Sequence, residues 1–373
     1  MEEKLRELLE IAENPQRAIT GWKEVTGGKV IGCLPIYVPE EIIHAAGALP
    51  VGLWGGTTEI ERANAHLQGF SCSIVRGVLE YALKGTYDMV DGFVFPSTCD
   101  HVQNSSDIWA KTFPDKVKFD LVYPANRSSN AATLYLADLY REFISWLEEL
   151  VGSSINNGDL QRSISVYNHH RELMEKLRQL RAEQPQSLTH REMAGLVKAS
   201  LFMPKEQYNQ ELEGLLPWLE VRDIKEVPHK RLLLTGIMAE PEELLDVIED
   251  LGCAVVADDL ALGSRLHGVQ VTTQTEPIDA LVQRHLSLGP CSTLFDPGKK
   301  RGSHIKELVE KTKANGVVFI NMKFCEAEEF DYPILKQELE QAGIPLLFIE
   351  VEQQMASFGQ IRTRLQAFTE MLA

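Results

Sequence analysis

A chain of 373 residues has the length for two or three domains, and its net charge of −17 argues against general nucleic-acid binding, which needs clustered Lys and Arg. Hydrophobic content of 44% and charged content of 24% are those of an ordinary globular protein, and no apolar run reaches the ~18 residues of a membrane helix. Met1-Glu2-Glu3-Lys4 is unlike a signal peptide, so a cytoplasmic location is expected, and six scattered cysteines there are core, catalytic or metal-binding rather than a disulfide framework.

In chain order, residues 2–13 read as an amphipathic helix with Leu5, Leu8 and Leu9 on one face. Lys29 to Cys33 reads as a strand running into a turn. A helix punctuated by Pro39, Glu40, Glu41 and Gly47 follows, and Pro50 to Trp54 returns as a strand. Apolar positions at 75, 78, 79 and 82 predict a helix with Cys72 near its start, where a helix N-terminus favours the thiolate. A strand ending at Pro96 delivers Cys99 into the next loop, followed by a helix near 106–112 and a strand over 117–122.

From about Thr133 the period is helical for nearly ninety residues, read as an insert or spacer. A second α/β half begins at Arg231, with a helix over 241–251 and a strand over 253–257 running into Asp258 and Asp259. Another helix spans 280–285, and a basic loop, Lys299-Lys300-Arg301-Gly302, precedes a helix to Lys313. The strand opening at Gly316 carries Cys325 beyond its end. A helix over 337–342, a strand over 345–350 and a helix over 360–371 complete the chain. The expected architecture is α/β, with domains at 1–132 and 229–373, a helical segment over 133–228 between them, and the two facing each other across a cleft.

No phosphate-binding loop, dinucleotide fingerprint, H-E-x-x-H, G-x-S-x-G or C-x-x-C occurs. What remains is Cys72, Cys99 and Cys325, each at the start of a helix or the end of a strand, where ligands of parallel sheets bind. A buried core role competes for any single cysteine. Dispersed cysteines without histidine neighbours fit an iron–sulfur cluster better than a zinc knuckle. Cys33 also ends a strand and is a further candidate; Cys253 opens one and reads as core; Cys291 reads as structural.

The stretch from Gly32 to Val51, with Phe70-Ser71-Cys72-Ser73, Ser97-Thr98-Cys99-Asp100, Val255 to Ala261, Met322-Lys323-Phe324-Cys325 and Arg362 to Phe368, resembles the 2-hydroxyacyl-CoA dehydratase and benzoyl-CoA reductase family. Length, the Cys33 form of the signature and the basic loop resemble its smaller, β-type subunit. The resemblance implies two Rossmann-like halves holding a [4Fe–4S] cluster through Cys72, Cys99 and Cys325; the position of Ser97 and Thr98 beside Cys99 makes them candidates for hydrogen bonds to the cluster sulfurs. It implies as partners a larger, homologous α-type subunit, a separate iron–sulfur ATPase activator and an acyl-CoA substrate. It also implies loss of water from a 2-hydroxyacyl thioester through a ketyl radical, the β-proton being too weakly acidic for a side-chain base. No catalytic side chain is assigned. A benzoyl-CoA-type reductase subunit, a non-catalytic electron relay and a metal-free binding protein are the alternatives. Asp258 and Asp259 are expected to cap a turn, residues 299–301 to form a solvated loop, Glu40 and Glu41 to serve as first-turn acids, and His44 to be partly buried.

Overall fold

The computed structural model describes residues 1–222 and 230–372; the expected boundary at 228/229 lies outside the described residues. Two helices, α1 (Glu2–Glu13) and α2 (Pro15–Thr26), precede the first α/β unit. That unit runs β1 (Val30–Cys33), α3 (Glu40–Ala45), β2 (Leu49–Gly52), α4 (Ser73–Leu83), β3 (Gly92–Pro96), α5 (Asp100–Thr112) and β4 (Val117–Leu121). Helices α6 (Asn130–Val151), α7 (Asn157–Glu183), α8 (His190–Ala199) and α9 (Lys205–Glu220) follow. The second unit runs β5 (Lys230–Gly236), α10 (Glu243–Asp250), β6 (Cys253–Leu260), α11 (Ser264–His267), α12 (Pro277–Ser287) and α13 (Arg301–Thr312). It ends with β7 (Gly316–Met322), α14 (Glu326–Gln341), β8 (Leu346–Val351) and α15 (Gly359–Met371).

Both sheets are four-stranded and wholly parallel, in the orders β2-β1-β3-β4 and β6-β5-β7-β8. The α/β expectation holds in both units. Each order reverses direction at its first strand, so the switch points lie between β1 and β3 and between β5 and β7. Loops leaving the C-terminal ends of strands at such a point form the customary ligand crevice. Strands β1, β3 and β7 are buried along their whole length because helices cover both faces, which is why they read as apolar runs, broken only by Asn321 in β7.

One core joins the two units. Val30, Leu49 and Phe93 of the first sheet share it with Leu232, Val255 and Val318 of the second, and Leu173, Met174, Tyr208 and Leu212 of the intervening helices lie in the same cluster. Among the elements in contact, α7 packs on both α3 and β6. The other face of the first sheet, through Ile31 and Val94, packs on Phe143 and Leu147 of α6 and Leu281 of α12. No described helix is long and apolar enough to cross a membrane.

Helices α2 and α11 are not among the expected elements, and three further elements differ in extent. Helix α5 starts at Asp100 rather than near 106, so Cys99 is its N-cap. Helix α14 starts at Glu326 rather than 337 and contains Pro333, the residue that interrupts its sequence pattern. Strand β6 continues through Asp258 and Asp259, residues that disfavour strands but whose carboxylates are bonded here.

A buried ion pair ties the first sheet to α7. Glu41, in the first turn of α3, is fully buried and accepts from Arg171. Burial alone raises a carboxyl pKa, but the charges of Arg171 and Arg284 and the Arg171 hydrogen bond outweigh it and bring Glu41 from 4.5 down to about 2. A depressed carboxyl stabilises the fold above its unfolded value and loses that contribution as pH falls through its folded value. About 3 kcal/mol should therefore be lost between pH 4.5 and pH 2. Urea unfolding at pH 5 and pH 2.5 checks this: the stability drop should be larger in the natural chain than in the double variant Glu41→Gln, Arg171→Met.

Candidate functional site

Cys72, Cys99 and Cys325 are the N-cap residues of α4, α5 and α14. Cys99 follows β3 and Cys325 follows β7, each beside the switch point of its own sheet. The three thiols lie close enough to act on one another electrostatically: Cys72 raises the pKa of Cys99, and both raise that of Cys325. Two sheets thus contribute to one group of thiols. None of the six cysteines is in a disulfide.

The two sheet edges are joined by Gln353, which follows β8 and is 1% exposed. Its Nε2 donates to Trp54 O at 2.9 Å and to Glu240 at 2.6 Å, and its Oε1 accepts from Gly56 N at 3.1 Å. Its backbone N–H donates to Ser73 Oγ at 3.2 Å, one residue after Cys72. The approach is close enough that Gly55, at φ 76°, has no room for a side chain: a Cβ there would stand 2.5 Å from Gln353 Oε1 and 2.9 Å from Ile74 O.

Cys325 is aimed by a turn that sequence does not foretell. Phe324 takes a left-handed backbone, φ 65°, costly for an aromatic residue, and Cys325 N–H donates to Met322 O at 2.8 Å. Beyond the thiol lies a buried charge network. Glu328, at the third helical position of α14, accepts from Ser292 Oγ at 2.7 Å and from Arg301 Nη1 at 2.9 Å. Arg301 also donates to Asp259 at 3.0 Å and Thr235 Oγ1 at 2.9 Å, while Arg265 forks onto Asp259 at 2.8 Å. Arg301 is 4% exposed, which corrects its expected place in a solvated loop; Lys300 beside it is exposed. Asp259 is held below its ordinary value, the two guanidiniums overcoming its burial. Asp258 does cap the turn, accepting from Ser264 N at 2.7 Å. The Cys-x-x-Glu spacing of Cys325 and Glu328 is the one trace of this network in the sequence, since it has the form of a capping box. Its glutamate is turned to Arg301 instead.

The protonation of the thiols differs from expectation. Burial outweighs the helix N-termini and raises Cys72, Cys99 (to about 11) and Cys325. Opposing it are backbone N–H groups: Ile74 and Val75 toward Cys72, His101 and Val102 toward Cys99, and Glu328 toward Cys325. These donors suit a thiolate, and a metal that takes the place of the proton supplies the missing counter-charge. Among the described residues no three His, Cys, Asp or Glu side chains converge on a single ion. A four-iron cluster distributes its ligands around a cube rather than about one point, so an all-thiol set of this kind fits it better than zinc.

Cys33 is not part of the group: its thiol is buried at the end of β1 and donates to Ile31 O at 3.7 Å, with Glu40 and Lys205 as its charged neighbours. Ser97 Oγ is occupied by Tyr123 N at 2.8 Å. Thr98 stands half-buried beside Cys99. Cys253 opens β6 at the opposite edge, 2% exposed, and Cys291 is buried with Arg265 Nη1 3.2 Å from its sulfur. His44, half-buried, bonds Ser163 Oγ at 2.9 Å and Glu206 at 3.0 Å.

Residues 35–372 match the protein family described as 2-hydroxyglutaryl-CoA dehydratase, D-component. The chain is 36% identical to the (R)-phenyllactyl-CoA dehydratase beta subunit of Clostridium sporogenes over 97% of both chains. It is also 36% identical to the lactoyl-CoA dehydratase subunit beta of Anaerotignum propionicum, over 99% of this chain and 98% of that one. Similarity extends to a benzoyl-CoA reductase subunit of Thauera aromatica, 31% identical over 94% and 93% of the two chains.

Proposed function

The chain belongs to the family of the 2-hydroxyglutaryl-CoA dehydratase D-component, and from that membership we propose that it is the β-type subunit of a 2-hydroxyacyl-CoA dehydratase. The observation that carries the reading is full-length similarity to two dehydratase β subunits that differ in their acyl groups. The reaction is loss of water from a 2-hydroxyacyl thioester to give the enoyl thioester. One electron on the thioester carbonyl weakens the bond to the 2-hydroxyl and acidifies the β-hydrogen, which no side-chain base removes unaided.

In this reading Cys72, Cys99 and Cys325 hold a [4Fe–4S] cluster. Bound there, such a cluster supplies single-electron exchange at a potential set by its surroundings. The chain's own contributions are local. The N-termini of α4, α5 and α14 direct backbone N–H groups at the three sulfurs, which favours their anionic form. Burial of Cys72 and partial burial of the other two keep water from the sulfurs. The electron comes from a separate ATP-dependent activator, in keeping with the lack of a phosphate-binding loop motif in this sequence. The enzyme is completed by a homologous α-type subunit.

Similarity to a subunit of benzoyl-CoA reductase favours ring reduction as the second reading. Anaerobic turnover with the α-type subunit, an activator and ATP separates the two. A panel of (R)-2-hydroxyacyl-CoA thioesters should yield enoyl-CoA, with benzoyl-CoA left unreduced. Reduction of benzoyl-CoA with no dehydration of any hydroxyacyl thioester would overturn the dehydratase assignment.

A further inference from the structure

Between the last turns of α7 and the facing side of α13 lies a cavity of about 290 Å³, away from the three grouped cysteines. Its wall on β6 is Val256 and Ala257. From α7 come Arg178 and Arg181, and from α13 come His304, Leu308 and Lys311, spaced to share one helix face.

The charges around it do not balance. Arg178 is paired with Glu175 at 3.0 Å. Asp258 Oδ1 is taken by the backbone amides of Ser264 and Leu260, and Asp259 is taken by Arg265 and Arg301. Arg181 is different. It is 8% exposed, yet its guanidinium has no hydrogen bond or ion pair with any described residue. Asp258 and Glu249 act on it only through space, and burial brings its pKa down to about 10. Lys311, exposed at the rim, likewise has no such partner among the described residues. Five planar donors left idle beside a cavity are the arrangement that receives an oxyanion.

Two unpaired cations call for a doubly charged partner. A carboxylate leaves one of them uncompensated, whereas a phosphate monoester carries about −1.5 to −2 charges near neutral pH. Val256, Val269 and Leu308 give the rest of such a ligand an apolar wall. We propose that this cavity binds a phosphate monoester, with the Arg181 guanidinium on its oxygens and Lys311 closing over it from the rim. The same phosphate arrives either on a free metabolite or on the nucleotide end of a coenzyme A thioester, and the test separates these sources.

The full-length chain is titrated calorimetrically at low salt with adenosine 3′,5′-bisphosphate and, separately, with glycerol 3-phosphate. At least one should bind saturably. Arg181→Met should weaken that binding about 10- to 100-fold, the loss of a hydrogen-bonded charge. Lys311→Ala, an exposed change that leaves the melting temperature alone, should weaken it about threefold. Tenfold preference for the bisphosphate assigns the site to the nucleotide end of coenzyme A; equal affinity assigns it to a free phosphate ester. No saturable binding of either probe, or unchanged affinity in both variants, overturns the proposal. Neither probe reports on the cysteines, so such a failure leaves the dehydratase reading standing.

Discussion

Cys325→Ala should strip the anaerobically reconstituted chain of most of its iron, while Cys253→Ala should keep it. Cys325 is the only one of the three grouped thiols supplied by the second sheet. Its loss leaves two thiols from the first sheet and none nearby to replace it, because Cys291 is engaged with Arg265 and Thr293, and Cys33 lies among Glu40 and Lys205. Cys253 begins its strand instead of ending it, so its removal costs at most the ~1–3 kcal/mol of a small core truncation. Iron and sulfide analysis with electron paramagnetic resonance reads the difference, and circular dichroism verifies that both variants are folded. Equal iron in the two would sink the Cys72–Cys99–Cys325 assignment.

Arg301→Met should destabilise the chain by about 3–5 kcal/mol, the cost of leaving a buried charge without its partner. Glu328 is fully buried, and without Arg301 it keeps only the Ser292 hydroxyl and Arg265 at 3.6 Å. Asp259 fares better because Arg265 still grips both of its oxygens. The damage should therefore centre on Glu328, and Glu328→Gln added to Arg301→Met should recover part of the loss. Urea unfolding of the two single variants and the double variant measures the coupling. Additive losses would mean that the pair does not act as a unit.

Much of this arrangement is legible in the sequence because buried parallel strands leave a strong local mark. The runs ending at Cys33, Pro96 and Met322 are buried along their whole length and apolar but for Asn321, and the residues just past such a strand emerge at the ligand-binding edge. Cys99 and Cys325 are found by that rule alone. Arg301 is not, since a basic residue beside two lysines gives no sign that its partners are 27 and 42 residues away. The thiol charges fail for a related reason. Helix position is local and readable, whereas the burial that dominates Cys72, Cys99 and Cys325 is assembled from distant parts of the chain. Pro333 hides α14 because a proline ordinarily ends a helix, and here it sits within one.

The division of the three cysteines between two sheets also sets an order of assembly. A chain emerging from its N-terminus completes the first sheet, with Cys72 and Cys99, then helices α6 to α9, before β7 and Cys325 exist at all. Until Gln353 reaches Trp54 and Gly56 the two edges have not met, and a cluster needing all three thiols has only two of them. For the proposed cluster, iron binding and the docking of the halves would be linked equilibria, since a group held by both adds its binding free energy to their association. On the proposed assignment a cluster would be a late arrival in the growing chain, and its loading would report that the last β-α-β turn of the fold has closed.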